Sequence, residues 1–297
     1  MRVLITGGNG QLGKTIIQLL RDKECVLGEL DPVYSNCEII CTNKGTLDIT
    51  NLGEVKSYFM KFKPNMVINA GAYTHVEQCE LNNDLCFKVN ALGPRNLAFA
   101  SEEIEAKLIH LSTDYVFDGQ KKMPYQEHDL PNPINAYGKS KYLGEEYAKE
   151  FCSRYYILRT SWLYGYEGKN FVNTMLAAGK EKKELHVVAD QIGSPTNTID
   201  LAYHLLQLAA ADEYGIYHCT GNGECSWYEF AKKIMEYAET NCKIHPISTL
   251  DYNSTIQRPP YSTLDHMMLR CTIGDHMRNW QDALKDFIKN LTDRRIL

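Results

Sequence analysis

The chain has 297 residues, 44% of them apolar, which is enough for one large core and a smaller one. Its net charge of −5 and pI near 6.0 leave no basic footprint for nucleic acid, and no apolar run approaches the roughly 20 residues that cross a membrane. The N-terminus enters a strand rather than a secretory leader, and the ten cysteines are scattered without paired Cys/His spacing, so a cytoplasmic protein with reduced thiols and no metal site is expected.

The first element is Val3–Thr6, a β-branched, uncharged run read as a buried strand. It runs into Gly7-Gly-Asn-Gly-Gln-Leu-Gly13 and then a helix-like stretch, Lys14–Arg21. A glycine loop between a strand and a helix predicts a dinucleotide cradle. The pyrophosphate meets backbone N–H groups at the positive end of the helix, and missing side chains let it approach. Gly7 and Gly8 are expected to turn the chain, Gly10 to leave room for phosphates, and Gly13 to let the helix pack close. Two registers fit, Gly8-x-Gly10-x-x-Gly13 and Gly7-x-x-Gly10-x-x-Gly13.

The alternation continues. Strand-like runs are Cys25–Leu30, Met66–Ala70, Leu108–Ser112 and Tyr156–Arg159; helix-like stretches are Leu52–Phe62, Cys86–Glu103 and Tyr137–Phe151. This predicts an α/β fold, a Rossmann-type doubly wound parallel sheet whose ligands lie beyond the carboxyl ends of its strands. After about Tyr164 the rhythm changes. Helices are expected at Asn170–Lys180, Asp200–Ala210, Ser226–Tyr237 and Trp280–Leu291, strands at Leu185–Val188 and Gly215–Cys219, and irregular chain over Pro246–Asp265. The expected division is residues 1–165 as a dinucleotide-binding domain, joined by part of 195–222. Residues 166–297 then form a smaller, partly interleaved C-terminal substrate domain.

Tyr137-Gly-Lys-Ser-Lys141 places a tyrosine and a lysine on one helix face. A free phenol, with a pKa of about 10, is a poor acid at neutral pH, and a nearby ammonium lowers that value. The chain carries a second such pair, Tyr228 and Lys232, which serves as a control: among Trp227, Phe230 and Ile234 it reads as a core tyrosine and a surface lysine. Tyr137 instead comes after Ile109-His-Leu-Ser-Thr113, an apolar run that puts Ser112 and Thr113 at a strand's carboxyl end, where a hydroxyl can polarise a carbonyl.

These features together resemble the extended short-chain dehydrogenase/reductases, and within them the dTDP-4-dehydrorhamnose reductases. The stretches that carry the resemblance are Asn69-Ala-Gly-Ala-Tyr-Thr74, Leu111-Ser-Thr-Asp-Tyr-Val-Phe-Asp118, Asn135-Ala-Tyr-Gly-Lys-Ser-Lys-Tyr-Leu-Gly-Glu145 and Leu158-Arg-Thr-Ser-Trp-Leu-Tyr164. Asp190-Gln-Ile-Gly-Ser-Pro-Thr196 and Arg258-Pro-Pro-Tyr-Ser-Thr-Leu-Asp265 continue it. The chain departs from the pattern at His75-Val-Glu77, where such reductases often have Ala-Val-Asp, and at Asp265-His-Met-Met268, which replaces Asp-x-x-Lys.

The resemblance implies reduction of the C4 ketone of dTDP-4-dehydro-6-deoxy-L-mannose to dTDP-L-rhamnose, with NADPH or NADH as hydride donor. It implies Thr113, Tyr137 and Lys141 as the catalytic set. Gly7 would bind the cofactor, Gly10, Gln11 and Leu12 would meet its pyrophosphate, Asp48 and Ile49 would border the adenine, Ala70, Gly71 and Ala72 would line the cofactor, and Tyr137 and Lys141 would also bind it. Thr113 and Asp114 would touch the sugar, and Trp162 would wall its pocket. A homodimer stays open.

Three positions carry two readings each. Asp31 stands where an acidic residue takes a ribose 2′-OH, or is a solvated turn residue before Pro32. Trp162 walls the pocket or is core. Arg258 clamps a substrate diphosphate or is a plain surface arginine. His128 and His266 read as ordinary loop residues. Rival functions are an epimerase or dehydratase of the same fold and a non-catalytic, cofactor-binding regulatory subunit.

Overall fold

A computed structural model describes residues 1–252, 254 and 256–296, from 292 onward by backbone alone. In chain order the main elements are β1 (Arg2–Thr6), α1 (Gln11–Asp22), β2 (Glu38–Cys41), α2 (Leu52–Phe62), β3 (Met66–Asn69), α3 (Gly93–Glu103), β4 (Lys107–Thr113) and α4 (Ala136–Phe151). They continue with β5 (Tyr155–Thr160), α5 (Phe171–Glu181), β6 (Glu184–Val188), α6 (Thr198–Ala210), β7 (Gly215–His218), α7 (Trp227–Tyr237), β8 (Lys243–Ile247) and α8 (Trp280–Ile296).

Six strands make one parallel sheet in the order β7-β5-β4-β3-β1-β2. Side chains alternate between two buried faces. Val3, Ile5, Ile68, Ile109 and Leu158 pack on one side against α1 and α6. Leu4, Val67, Leu108 and Ile157 pack on the other against α2, α3 and α4. Burial on both sides favours apolar residues, which is why most strand positions read as apolar in the sequence, with buried polar side chains such as His110 and Arg159 as exceptions. The chain starts at β1, one strand in from the edge, moves out to the edge strand β2 and crosses back to β3. The crevice of this Rossmann-type fold therefore opens between the carboxyl ends of β1 and β3.

Two sequence expectations change here. Cys25–Leu30 does not enter the sheet: Glu24–Cys25 and Gly28–Glu29 form a small antiparallel hairpin beside it. Its slot is taken by β2, where Glu38 and Cys41 are exposed and Ile39 and Ile40 only half-buried, so it lacks the all-apolar signature of a central strand. The stretch read as one helix over Cys86–Glu103 begins at Asn83 and passes through a widened turn at Lys88–Leu92 before α3.

A second core gathers Tyr164, Val172, Leu176, Phe230, Ile234, Trp280 and Phe287 around α5, α7 and α8. There β8 pairs in parallel with β6, so the start of the stretch read as irregular is strand through Ile247. From the same half of the chain, α6 lies on α1 and β7 extends the large sheet beyond β5.

Helix α4 carries the tyrosine and lysine, and three contacts fix where it starts. Asn135 caps it, its side chain accepting from Gly138 N, a type of cap worth about 1 kcal/mol. Ala136 N donates to Glu80 Oε1. Gly138 lets the helix touch the chain after β4: a Cβ there would lie 2.1 Å from the Tyr115 carbonyl oxygen.

Candidate active site

A cleft of about 470 Å³ opens at the carboxyl ends of β1, β2 and β3. Gly7 turns into it with φ +68, where a side chain would also strike the Gly71 backbone at 2.6 Å. A Cβ on Gly10 would meet only the Gly7 carbonyl, at 3.2 Å, so the space beside Gly10 is open to a phosphate. Gly7, Gly10, Asp48, Ile49, Gly71 and Ala72 line the cleft. Gln11 and Leu12 begin α1 but turn their side chains elsewhere. Gln11 Nε2 donates to Leu163 O, and Leu12 is core, so each offers a phosphate its backbone N–H alone. Ala70 packs against the core beside the cleft.

Asp31 is not at this site. It caps the short turn Pro32–Tyr34 by accepting from Val33 N. The Tyr34 hydroxyl then donates to Leu206 O and rests near Met66, the first residue of β3. That places Asp31 toward the amino-terminal edge of the sheet, so of its two readings the turn residue holds. Sequence reasoning also missed the residues that follow β2. Thr42, Asn43 and Lys44 line the cleft, as do Tyr73, Leu85 and Lys88. The signal for the first three was the position of β2, which was not recognised. Hydrogen bonds from Thr50, with Lys88 and Lys44 nearby, hold the Asp48 carboxyl below its usual range. Among the described residues no group of three or more His, Cys, Asp or Glu could hold a metal ion.

The hydroxyl cluster lies at the end of β4. Thr113 Oγ1 donates to Asp114 Oδ1 at 3.0 Å and accepts from Tyr115 N at 3.2 Å. The Tyr137 hydroxyl hydrogen-bonds the Thr113 side chain, and the Tyr115 ring meets the Tyr137 ring edge-on at 5.8 Å. Burial pushes the Tyr137 phenol well above its ordinary value, with Thr113 opposing. Burial outweighs any lowering of the kind expected from Lys141, whose ammonium donates to the Leu111 carbonyl. Burial pulls Lys141 itself down to about 8.

Asp114 is 2% exposed, and burial pushes its carboxyl up to about 6. Its Oδ2 has no hydrogen-bond partner among the described residues, although the Ser262 hydroxyl faces it. Trp162, two residues past the end of β5, holds φ +45, a region most side chains avoid. One indole face is stacked on Trp227 at 3.5 Å and 8°, and the residue is half-buried, so it is both packed and partly open. Arg258 turns inward. It hydrogen-bonds Tyr115, sits 3.5 Å from Glu77 and keeps a buried Nε without a partner among the described residues, which rules out a plain surface arginine.

The control pair behaves differently. Tyr228 and Lys232 lie on α7, half-buried and exposed, while Phe230 and Ile234 make the core there; Tyr228 is thus less buried than expected. His128 is exposed. His266 is no ordinary loop residue: it is 3% exposed, fixed between Asp275 at 3.1 Å and the Thr220 hydroxyl at 2.8 Å. Among the described residues no helix is long and apolar enough to cross a membrane.

Comparison with known proteins agrees with this geometry. Residues 1–293 match the family model described as the RmlD substrate binding domain. The spore coat polysaccharide biosynthesis protein SpsK of Bacillus subtilis (strain 168) is 39% identical, over 97% of each chain. A dTDP-4-dehydrorhamnose reductase of Aggregatibacter actinomycetemcomitans is 41% identical over 96% of this chain and 97% of its own. Among solved structures, the dTDP-4-dehydrorhamnose reductase of Bacillus anthracis str. Ames, in complex with NADP, is 44% identical with a TM-score of 0.91, covering 97% of this chain and 99% of that one.

Proposed function

The chain belongs to the RmlD substrate binding domain family, and on that footing we propose that it is an NAD(P)H-dependent oxidoreductase of nucleotide-sugar biosynthesis. It reduces the C4 ketone of dTDP-4-dehydro-6-deoxy-L-mannose to dTDP-L-rhamnose. The observation that carries this reading is the meeting of Thr113, Tyr137 and Asp114 at one strand end beside a glycine-lined cleft. The Bacillus anthracis reductase, whose structure holds NADP, supports it.

The cleft fits a dinucleotide. Gly10 leaves the phosphate space open, and the first N–H groups of α1 face the same end of the sheet. Bound there, the reduced nicotinamide supplies the hydride for C4. Lys44 follows β2 at the place where an adenosine ribose is read, and with Lys88 it supports NADPH over NADH.

Tyr137 delivers the proton to the developing C4 alkoxide, and the Thr113 hydroxyl, already on Tyr137, steadies that oxygen. Lys141 places a positive charge under the helix face that carries Tyr137. The unpaired Asp114 oxygen accepts from sugar hydroxyls, and the exposed part of Trp162 packs on the apolar side of a 6-deoxy sugar. Arg258, with Nε free of partners among the described residues, offers its fork to the diphosphate. All ten cysteines are free thiols, which supports a cytoplasmic setting.

The test is NADPH oxidation by the purified protein with dTDP-, GDP- and UDP-linked 4-keto sugars. Net, stoichiometric oxidation with the dTDP-linked substrate is expected. Cofactor binding without net oxidation would favour the regulatory or epimerase readings.

A further inference from the structure

Three consecutive residues at the end of β4 are each tied to one face of α4. The Leu111 carbonyl accepts from Lys141 Nζ, the Ser112 hydroxyl donates to Glu145 Oε1, and the Thr113 side chain hydrogen-bonds Tyr137. Tyr137, Lys141 and Glu145 recur every fourth residue, so they form a single stripe on α4. The reaction described above uses the first two and leaves Glu145 without a part.

Glu145 is fully buried, a costly place for a carboxylate unless it is matched. The match comes from β5. Arg159, 1% exposed, brings Nη2 to 2.7 Å and Nε to 3.0 Å of the Glu145 oxygens. Arg159 in turn lies over the Phe117 ring at 5.1 Å and reaches His218 Nε2 at 3.4 Å. A buried ion pair is a poor device for stability alone, since packed apolar side chains of the same volume do as well or better. Its contacts point to another use, because Glu145 touches the strand end that presents Thr113 and lies one turn from Lys141.

Resting on the reading of Tyr137 and Lys141 given above, we propose that Glu145 is a positioning residue of the reaction. Clamped by Arg159, it anchors Ser112 to α4 so that Thr113 faces Tyr137, and it sets a negative charge one helical turn from the Lys141 ammonium.

The surroundings of Lys141 support the second half. Burial brings its ammonium down to about 8, and against burial act Glu145 from the same helix and then Cys86 from the helix Asn83–Phe87. His110, on β4, is held neutral by its own burial and by the Lys141 charge, so it contributes no charge of its own. The remaining contact is the Leu111 carbonyl, which takes one ammonium proton. Glu145 is thus the carboxylate that acts most strongly on Lys141.

The test is the pH dependence of kcat in variants of the full chain, with NADPH affinity as the control. In Glu145→Gln the alkaline fall of kcat moves down by about one pH unit or more, the size of an opposite-charge effect on a buried group. NADPH affinity stays within about twofold, since Glu145 is outside the cofactor cleft and only a fold-level loss would move it. That variant leaves Arg159 buried and unpaired, so Glu145→Gln combined with Arg159→Met removes both charges; a smaller shift in the same direction is expected. Ser112→Ala keeps the ion pair and cuts the anchor. There kcat falls about tenfold, the worth of one hydrogen bond to a charged group, while the alkaline limb stays in place.

An alkaline limb at the wild-type pH in either folded Glu145 variant overturns the proposal. So does a Ser112→Ala loss of kcat accompanied by an equal loss of NADPH affinity, which is what a merely structural role would give. Failure of the underlying reading looks different: Tyr137→Phe would then keep the wild-type kcat.

Discussion

The Tyr137 hydroxyl meets the Thr113 side chain where α4 crosses the end of β4, and the residue after the tyrosine makes that meeting sterically available. Gly138 lies so close to the Tyr115 carbonyl that any side chain would push the helix away. The placement of the proton donor therefore depends on backbone contact as much as on the donor itself.

Tyr137→Phe keeps the ring and deletes the proton. We expect kcat to fall by about 10²–10⁴, the range for a positioned acid or base. Tyr228→Phe, on α7, should leave the rate nearly unchanged. Steady-state kinetics on the two variants checks this, and equal effects would refute the assignment of Tyr137.

Gly10→Val tests the cleft. Its Cβ meets only the Gly7 carbonyl within the protein, so the fold should tolerate it, while the branched side chain fills the phosphate space. NADPH binding by titration should be lost with the melting temperature close to wild type. Retained affinity would remove the glycine loop from the cofactor site.

Lys44 addresses cofactor choice. If it faces a 2′-phosphate, Lys44→Ala should raise the KM for NADPH about tenfold, typical of one lost charged hydrogen bond, and leave that for NADH alone. Equal changes for the two cofactors would show that Lys44 does not read the phosphate.

Asp114 carries a pH signature. Burial raises its folded-state value to about 6, above the ordinary carboxylate value, so the folded protein holds this proton more tightly than the unfolded chain. The stability so contributed is complete below about pH 4 and is lost as the pH rises through about 6. Asp114→Asn should accordingly stabilise the protein above pH 7, by about 3 kcal/mol at most, with no gain below about pH 4. It should also lose turnover of the sugar nucleotide. Thermal melts across this range decide it, and a gain independent of pH would mean that burial of the charge is not the cause.

Trp162→Ala separates the wall of a pocket from core. Because the indole is half-buried and stacked on Trp227, the loss of stability should be about 1–2 kcal/mol, well below the roughly 3–5 kcal/mol of a fully buried aromatic. The kcat/KM for the sugar nucleotide should drop while NADPH affinity holds. Loss of both functions together, with a large drop in melting temperature, would make Trp162 core.

The sheet was largely legible before the structure, and the reason is physical. Strands such as Met66–Asn69 are buried on both faces, so every residue of Met66-Val-Ile68 is apolar and the run stands out. The helix-like stretch Leu52–Phe62 is a helix over the same residues, and the structure adds the Asn51 cap that starts it. The strand Glu38–Cys41 was not legible, since at the sheet edge its ends are exposed and Ile39 and Ile40 only half-buried, which weakens the apolar signal. One missed strand then moved the expected ribose contact to Asp31, when the residues beyond the true strand end are Thr42, Asn43 and Lys44.

The sequence by itself determined the glycine cradle, the Thr113 strand end and the shared helix face of Tyr137 and Lys141, because each is written in spacings of a few residues that backbone geometry converts directly into position. Only the tertiary structure decided that Lys141 donates to Leu111 O, that Trp162 stacks on Trp227, that Arg258 turns to Tyr115 and Glu77, and that Glu145 is clamped by Arg159. Those partners come from different elements, and which one a side chain meets is set by how helices and sheet dock, a packing outcome that no local spacing encodes.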